Sequence, residues 1–329
     1  MSSLISSKGG GGGGGRGIAA GNTSGGNRHG ASDDWDAPPT IKALFAFQVI
    51  WAILTAILFL FTVFKLTRVR SKITHRGPYL LLAVVFILFS ISFTLSAAPI
   101  RVTFHPDVYL RIVFSSVMIG DFSRTFSSAA ILWLVHIRGA ALPSSQSDMS
   151  SPAVIRPWKR YVDCALVLGI FILELAIHGY TLDRNLAYLR TISAIGRYEE
   201  FVKVATRLRH VISTVVVLLA INVIASLAAI KVAHRRTKFT DPVINRLLVV
   251  AGPFVFVGAF IWMFADIWNT EHPTYDPGRT LAFSIIGDLS QVVVVAAVLS
   301  TIGLHRDSYP VESSSHLNRS SSGPPKAGY

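Results

Sequence analysis

Runs of apolar residues, each about as long as a helix needs to cross a bilayer, alternate with short polar segments along this chain. They cover Ala43–Phe64, Tyr79–Pro99, Ile112–Val135, Tyr161–Tyr180, Val211–Val232, Leu247–Trp268 and Leu281–Ile302. A hydrocarbon core of ~30 Å takes about 20 helical residues at ~1.5 Å each. Lipid offers no water to backbone N–H and C=O groups, so each run must satisfy its own hydrogen bonds as a helix. A membrane barrel would show short alternating segments instead, and the pattern has none. It predicts an all-α, polytopic membrane protein with a seven-transmembrane helix bundle over residues 41–304.

The flanks read differently. Residues 1–40 form a Gly/Ser-rich leader with the run Gly9–Gly15 and an acidic cluster of Asp33, Asp34 and Asp36 around Trp35. Such a composition buries too little apolar surface to offset its ordering entropy, so disorder is expected. The same holds for the Ser-rich tail, residues 305–329. No apolar run precedes Ala43, and the first span is expected to act as an uncleaved insertion signal.

Charge then sets a direction. The net charge of +13 would suggest nucleic acid in a soluble protein. Here the basic residues cluster in short loops between spans, which removes nucleic acid as an expected partner and points to the bilayer itself. Lys65, Arg68, Arg70, Lys72 and Arg76 follow span 1, and Lys231, Arg235, Arg236, Lys238 and Arg246 follow span 5. Short loops this basic are retained in the cytoplasm and attract anionic headgroups. The N-terminus is therefore expected outside and the C-terminus inside, in a plasma or internal membrane. Loops 65–77 and 231–246 become the expected surface for a cytoplasmic partner. The sequon at Asn22 is then a glycosylation candidate, and its twin at Asn318 stays unmodified. One loop runs against this orientation, with Arg184, Arg190, Arg197, Lys203, Arg207 and Arg209 on the external side. Leu182, Leu186, Leu189 and Ile192 in it match an amphipathic surface helix, and Tyr198–His210 an outward extension of helix 5. Trp158, Lys159 and Arg160 match an interfacial anchor for span 4.

Ionisable groups inside spans are costly and usually mark function. Asp121 and Arg124 stand in span 3, Glu174 in span 4 and Asp288 in span 7, joined by the amides Asn222 in span 5 and Gln291 in span 7. Counted inward from the outer boundary, Glu174, Asp288 and Asp121 fall at about 9–14 Å, and Gln291, Asn222 and Arg124 at about 15–18 Å. These six are the expected ligand- or ion-binding residues, in one layer of the outer half. Asp121, Arg124 and Ser128 share a helical face, as do Ser284, Asp288 and Gln291. Asp121 and Arg124 can pair along their own helix. Carboxyls outnumber the buried cation, so Glu174 or Asp288 is expected to be protonated or to meet a cation, water or ligand. The alternative is that all six are interhelical hydrogen-bonding glue. Asp163, His178 and Asp266 lie near span ends, where a hydrated position is expected.

Several chemistries fall away. Cys164 is the only cysteine, which excludes an intrachain disulfide and a cysteine-built zinc site. Glu174 and His178, four apart, are weak metal candidates without a third ligand, and no metal or cofactor is expected. Span 7 has no lysine for a retinal Schiff base. The topology resembles heptahelical receptors, but Val135-His136-Ile137-Arg138 stands where rhodopsin-like receptors carry Asp/Glu-Arg-Tyr, and span 7 lacks Asn-Pro-x-x-Tyr. Gly252-Pro253 in span 6 is a candidate hinge. The expected function is receptor- or sensor-like binding of a small polar or cationic ligand. The alternatives are a transporter or lipid translocator, then a membrane hydrolase.

Overall fold

The computed structural model of the chain describes residues 37–68, 76–140, 156–190, 195–236, 241–272 and 276–304. Almost all of the 1–40 leader, the tail after Leu304, both sequons, and residues 69–75 and 237–240 of the two basic loops lie outside the described residues. The helices are α1 Pro39–Arg68, α2 Gly77–Arg101, α3 Pro106–Ala140, α4 Pro157–Arg190, α5 Ile195–Arg236, α6 Pro242–Glu271 and α7 Pro277–Leu304. Pro39, Pro78, Pro106, Pro157, Pro242 and Pro277 sit in the first or second position of six of them. There the missing N–H is no loss, because first-turn N–H groups have no intrahelical acceptor. Aspartates cap two starts. Asp241 accepts from the Val243 and Ile244 N–H groups at 2.8 and 3.5 Å, and Asp276 from Gly278 and Arg279 at 2.9 and 3.3 Å.

Cross-contacts give the topology. At one end, here termed proximal, Tyr79 of α2 meets Thr301 of α7 at 3.4 Å, and Arg138 of α3 meets Asp241 before α6 at 3.6 Å. At the distal end, His210 of α5 meets Thr270 of α6 at 3.2 Å, and the rings of Tyr180 and Phe201 lie 5.6 Å apart. The helices therefore run alternately up and down. α7 returns to pack on α1, closing the ring, while α3 packs on α2, α4, α5 and α7 and occupies the centre.

Six helices are long and apolar enough to cross a membrane by their own composition; α3 is the exception. Its position explains this. Ser116, Ser123, Thr125 and Ser127 are all at most 2% exposed, so α3 presents its polar face to neighbouring helices rather than to lipid. The outer faces are apolar: Ile53, Ile57 and Leu60 of α1, Leu168, Ile172 and Leu175 of α4, and Phe256 and Phe260 of α6 are exposed. A multi-pass helical membrane protein results, with the lipid bilayer as its environment. Because lipid is as apolar as the side chains, close packing and hydrogen bonds hold such helices together. Along α2 and α3, the Ser92 hydroxyl donates to the Ser116 carbonyl at 2.7 Å, and a Cβ on Gly120 would come within 3.0 Å of Ser92 Oγ. Large side chains (Tyr79, Phe86, Ile131, Leu134, Leu227, Ile302) fill the rest of the core.

The helices overrun their apolar stretches, and one expectation changes. Leu182, Leu186 and Leu189 continue α4 rather than starting a separate surface helix, since nothing from Thr181 to Arg190 is Gly or Pro. Ile192 lies outside the described residues, and Tyr198–His210 belongs to α5. In α6, Leu247–Ala251 forms a wide π turn in which the Gly252 N–H reaches back to the Leu247 carbonyl. Pro253, which cannot donate, follows at once; an inserted residue is a known accommodation for such a break.

Candidate functional site

The polar face of α3 builds the site. Arg124 pairs with Asp121 one turn earlier on its own helix. The second Asp121 oxygen meets His178 Nε2 of α4 at 2.8 Å. The Arg124 guanidinium also faces Asp288 of α7 at 3.9 Å and lies 4.1 Å over the Trp262 ring of α6. One turn on, Thr125 donates to Glu174 Oε1 at 3.0 Å, and Ser127 donates to Gln291 Oε1 at 3.4 Å. Asp121, Arg124, Glu174, Asp288 and Gln291 are thus brought together from α3, α4 and α7. In a medium of low dielectric each of these charge contacts is far stronger than in water, and each group would be costly without its partner.

Two glycines position the α6 wall. A Cβ on Gly287 of α7 would lie 2.6 Å from Trp262 Nε1, and one on Gly258 of α6 would lie 2.8 Å from Gln291 Nε2. Only a bare backbone at Gly287 lets the indole lie against α7 and under Arg124. Gly287→Ala is expected to push Trp262 off its seat and cost about 1–3 kcal/mol, the usual range for overpacking. A lower thermal midpoint with a shifted tryptophan emission checks it; an unchanged protein by both readouts would mean that Trp262 does not rest there.

Three buried polar atoms at this cluster have no hydrogen-bond partner among the described residues: Glu174 Oε2, Arg124 Nε and Trp262 Nε1. One is an acceptor and two are donors.

Asn222 does not join this group. It donates to Asp163 Oδ1 at 2.9 Å and accepts from Lys159 Nζ at 2.8 Å, in a second cluster where His136 Nε2 meets Asp163 Oδ2 at 2.9 Å and Lys159 pairs with Asp163. Counted from the end of the α5 apolar run, Asn222 falls at the depth of the others, yet its partners are Lys159 and Asp163 near the start of α4. The α4 end is drawn into the bundle instead. Lys159, expected as an interfacial anchor, has its side chain only 13% exposed and turned inward. Asp163 and His178, expected in hydrated positions, are buried partners of the two clusters. Near the distal end, Asp266 accepts from Ser213 of α5. Among the described residues no three His, Cys, Asp or Glu side chains group closely enough to hold a metal. His136, Lys159, Thr125 and Trp262 were not singled out as site residues. A signal existed for one pair, since Lys159 and Asp163 stand four apart on a helix.

Comparison of the chain with protein-family models, with curated proteins and with solved structures finds no match in any of the three. What is established is a multi-pass helical membrane protein.

Proposed function

We propose that this chain is a receptor- or sensor-like membrane protein that binds a small polar ligand, with an amine or other cationic group, at the Arg124 cluster. The observation that supports this reading is the set of buried, unpartnered polar atoms on Glu174, Arg124 and Trp262. A buried donor or acceptor left unmatched costs about 1–3 kcal/mol, and such groups in native proteins are matched by solvent or ligand. A ligand carrying both a cationic donor and an acceptor matches all three, with Glu174 and Asp288 supplying the opposing charge. Arg124, already held by Asp121, sets where the acceptor end lies.

The test is a thermal-shift screen of the full chain in nanodiscs against amino acids, primary amines and quaternary ammonium compounds. A ligand at 100 times its Kd raises stability by about 2.7 kcal/mol. Glu174→Gln is expected to abolish that rise while leaving the unliganded midpoint close to wild type, because the amide still accepts from Thr125. No stabilising compound, or equal stabilisation of the variant, would remove this reading.

A second reading, solute transport, is favoured by the π turn before Pro253, a break able to act as a hinge in α6, the helix that carries Trp262 to the same cluster. It predicts uptake of the bound compound into liposomes, where a receptor gives none. Under both readings the cluster opens to the outside, as the basic loops suggest. A glycosylated Asn22 together with an unmodified Asn318 supports that orientation, and the reverse pattern inverts it.

A further inference from the structure

Asp121 and His136 lie fifteen residues apart on α3, and Asp163 and His178 lie fifteen residues apart on α4. The helices are antiparallel neighbours, so the two spacings interlock. Asp121 meets His178 at 2.8 Å and His136 meets Asp163 at 2.9 Å. Thr125 and Glu174 meet in the same register, each four residues inward from the distal pair. A local twofold axis across the middle of the helix pair exchanges Asp121 with Asp163 and His136 with His178. The likeness extends to charge, because each aspartate also pairs with a cation on its own helix, Arg124 in one case and Lys159 in the other.

Fifteen residues of helix separate the two sites by about 22 Å, most of a ~30 Å hydrocarbon core. On α4, Asp163 is two residues from the proximal end of the apolar run Tyr161–Tyr180 and His178 two residues from its distal end. Between that Thr125–Glu174 contact and the proximal pair the seam is mainly apolar. Ile131, Leu132 and Ile170 are buried there, and the Phe126 and Phe171 rings stack at 5.6 Å. No chain of hydrogen bonds among the described residues joins one site to the other.

We propose that the two histidine–aspartate pairs are twin proton-binding sites, each exchanging with the aqueous phase on its own side of the membrane. Imidazole is the side chain whose charge changes near neutral pH, and the facing carboxylate gives the charged form an ion-pair partner. Each site takes its proton from the adjacent solution and returns it there, while the apolar layer keeps the two separate. Around the distal pair stand Arg124 of α3, Glu174 of α4, Arg209 of α5, Asp266 of α6 and Asp288 of α7. Around the proximal pair stand Lys159 of α4 and Asn222 of α5, with Arg138, His234 and Asp241 grouped just beyond. A helix pair that binds protons at both faces responds to the pH difference across the membrane. The inference does not rest on a ligand at the Arg124 cluster, since the proximal pair lies outside that site.

The test is nitrogen-15 NMR of the full chain, labelled at its 10 histidines, in liposomes. His136→Gln and His178→Gln assign the two signals. Each imidazole is expected to change protonation state with the pH of the solution that it faces. With the internal buffer clamped, a change of external pH is expected to move one signal and not the other. Asp163→Asn should shift the midpoint of His136 alone, and Asp121→Asn that of His178 alone. The one-sided titration needs only assigned wild-type signals, and Asp163→Asn and Asp121→Asn supply the assignment where a glutamine variant does not fold. Either histidine holding one protonation state throughout, or both following the same side, would overturn the proposal.

Discussion

Arg124→Met is expected to be among the most damaging single substitutions in this protein. The guanidinium pairs with Asp121, faces Asp288 at 3.9 Å and covers the Trp262 ring. Methionine matches much of its volume but leaves two carboxyl groups in a low-dielectric interior without their cation. Removing one partner of a buried ion pair costs about 3–5 kcal/mol, much of it the burden of the charge left behind. The Arg124 and Asp121 side chains retain 18% and 23% exposure, so the lower part of that range applies. Arg124→Lys keeps the charge but loses the planar contact with Trp262 and the forked donors, and falls in between. Arg124→Met combined with Asp121→Asn and Asp288→Asn is expected to recover most of the loss, since the uncompensated charge is gone. Unfolding in mixed micelles followed by tryptophan fluorescence measures all three variants. If Arg124→Met alone matches the wild type, Arg124 does not hold the cluster together.

The second large effect is expected at Asp241, where one side chain performs two tasks at the proximal end. It faces Arg138 at 3.6 Å, with both side chains 2% exposed, and it caps α6 through the Val243 and Ile244 N–H groups. Asp241→Ala removes both, about 3–5 kcal/mol for the buried charge and about 1 kcal/mol for the cap. Asp241→Asn removes the charge but keeps an oxygen for the cap. Asparagine is therefore expected to retain about 1 kcal/mol more stability than alanine while both remain far below wild type. Two equal variants would mean that the cap contributes nothing, and a near-wild-type Asp241→Asn would mean that Arg138 does not depend on this charge. The pair also ties α3 to α6 just before the π turn, so its loss is expected to free the proximal end of α6 first.

Much of the bundle was legible along the chain because the bilayer imposes a simple requirement. A backbone in lipid must be helical and about 20 residues long, which makes apolar run length sufficient for element type and number. The helix starts were also local, since a proline in the first turn marks most of them. Helix ends were less legible. α4 and α5 continue past their apolar stretches because helical hydrogen bonding needs no hydrophobic side chains once the chain leaves the core. The polar residues were found for an equally general reason, since a charge in lipid is too costly to place idly.

Their partners were another matter. Periodicity put Asp121 and Arg124 on one face of α3 and Asp288 and Gln291 on one face of α7, because three- and four-residue spacing is a property of a single helix. Nothing local said that α3 would sit at the centre, that Lys159 would turn inward to Asn222, or that His136 would face Asp163. Those contacts depend on the register between antiparallel helices, which is set by packing along whole seams, such as Ser92 against Ser116 and Gly120, and Trp262 against Gly287. The sequence by itself therefore determined a helical membrane bundle and six of the polar residues inside its spans. Only the tertiary structure divided that set into a distal cluster around Arg124 and a proximal one around Asp163. Burial cost is a property of each residue, whereas pairing is a property of the distance between helices.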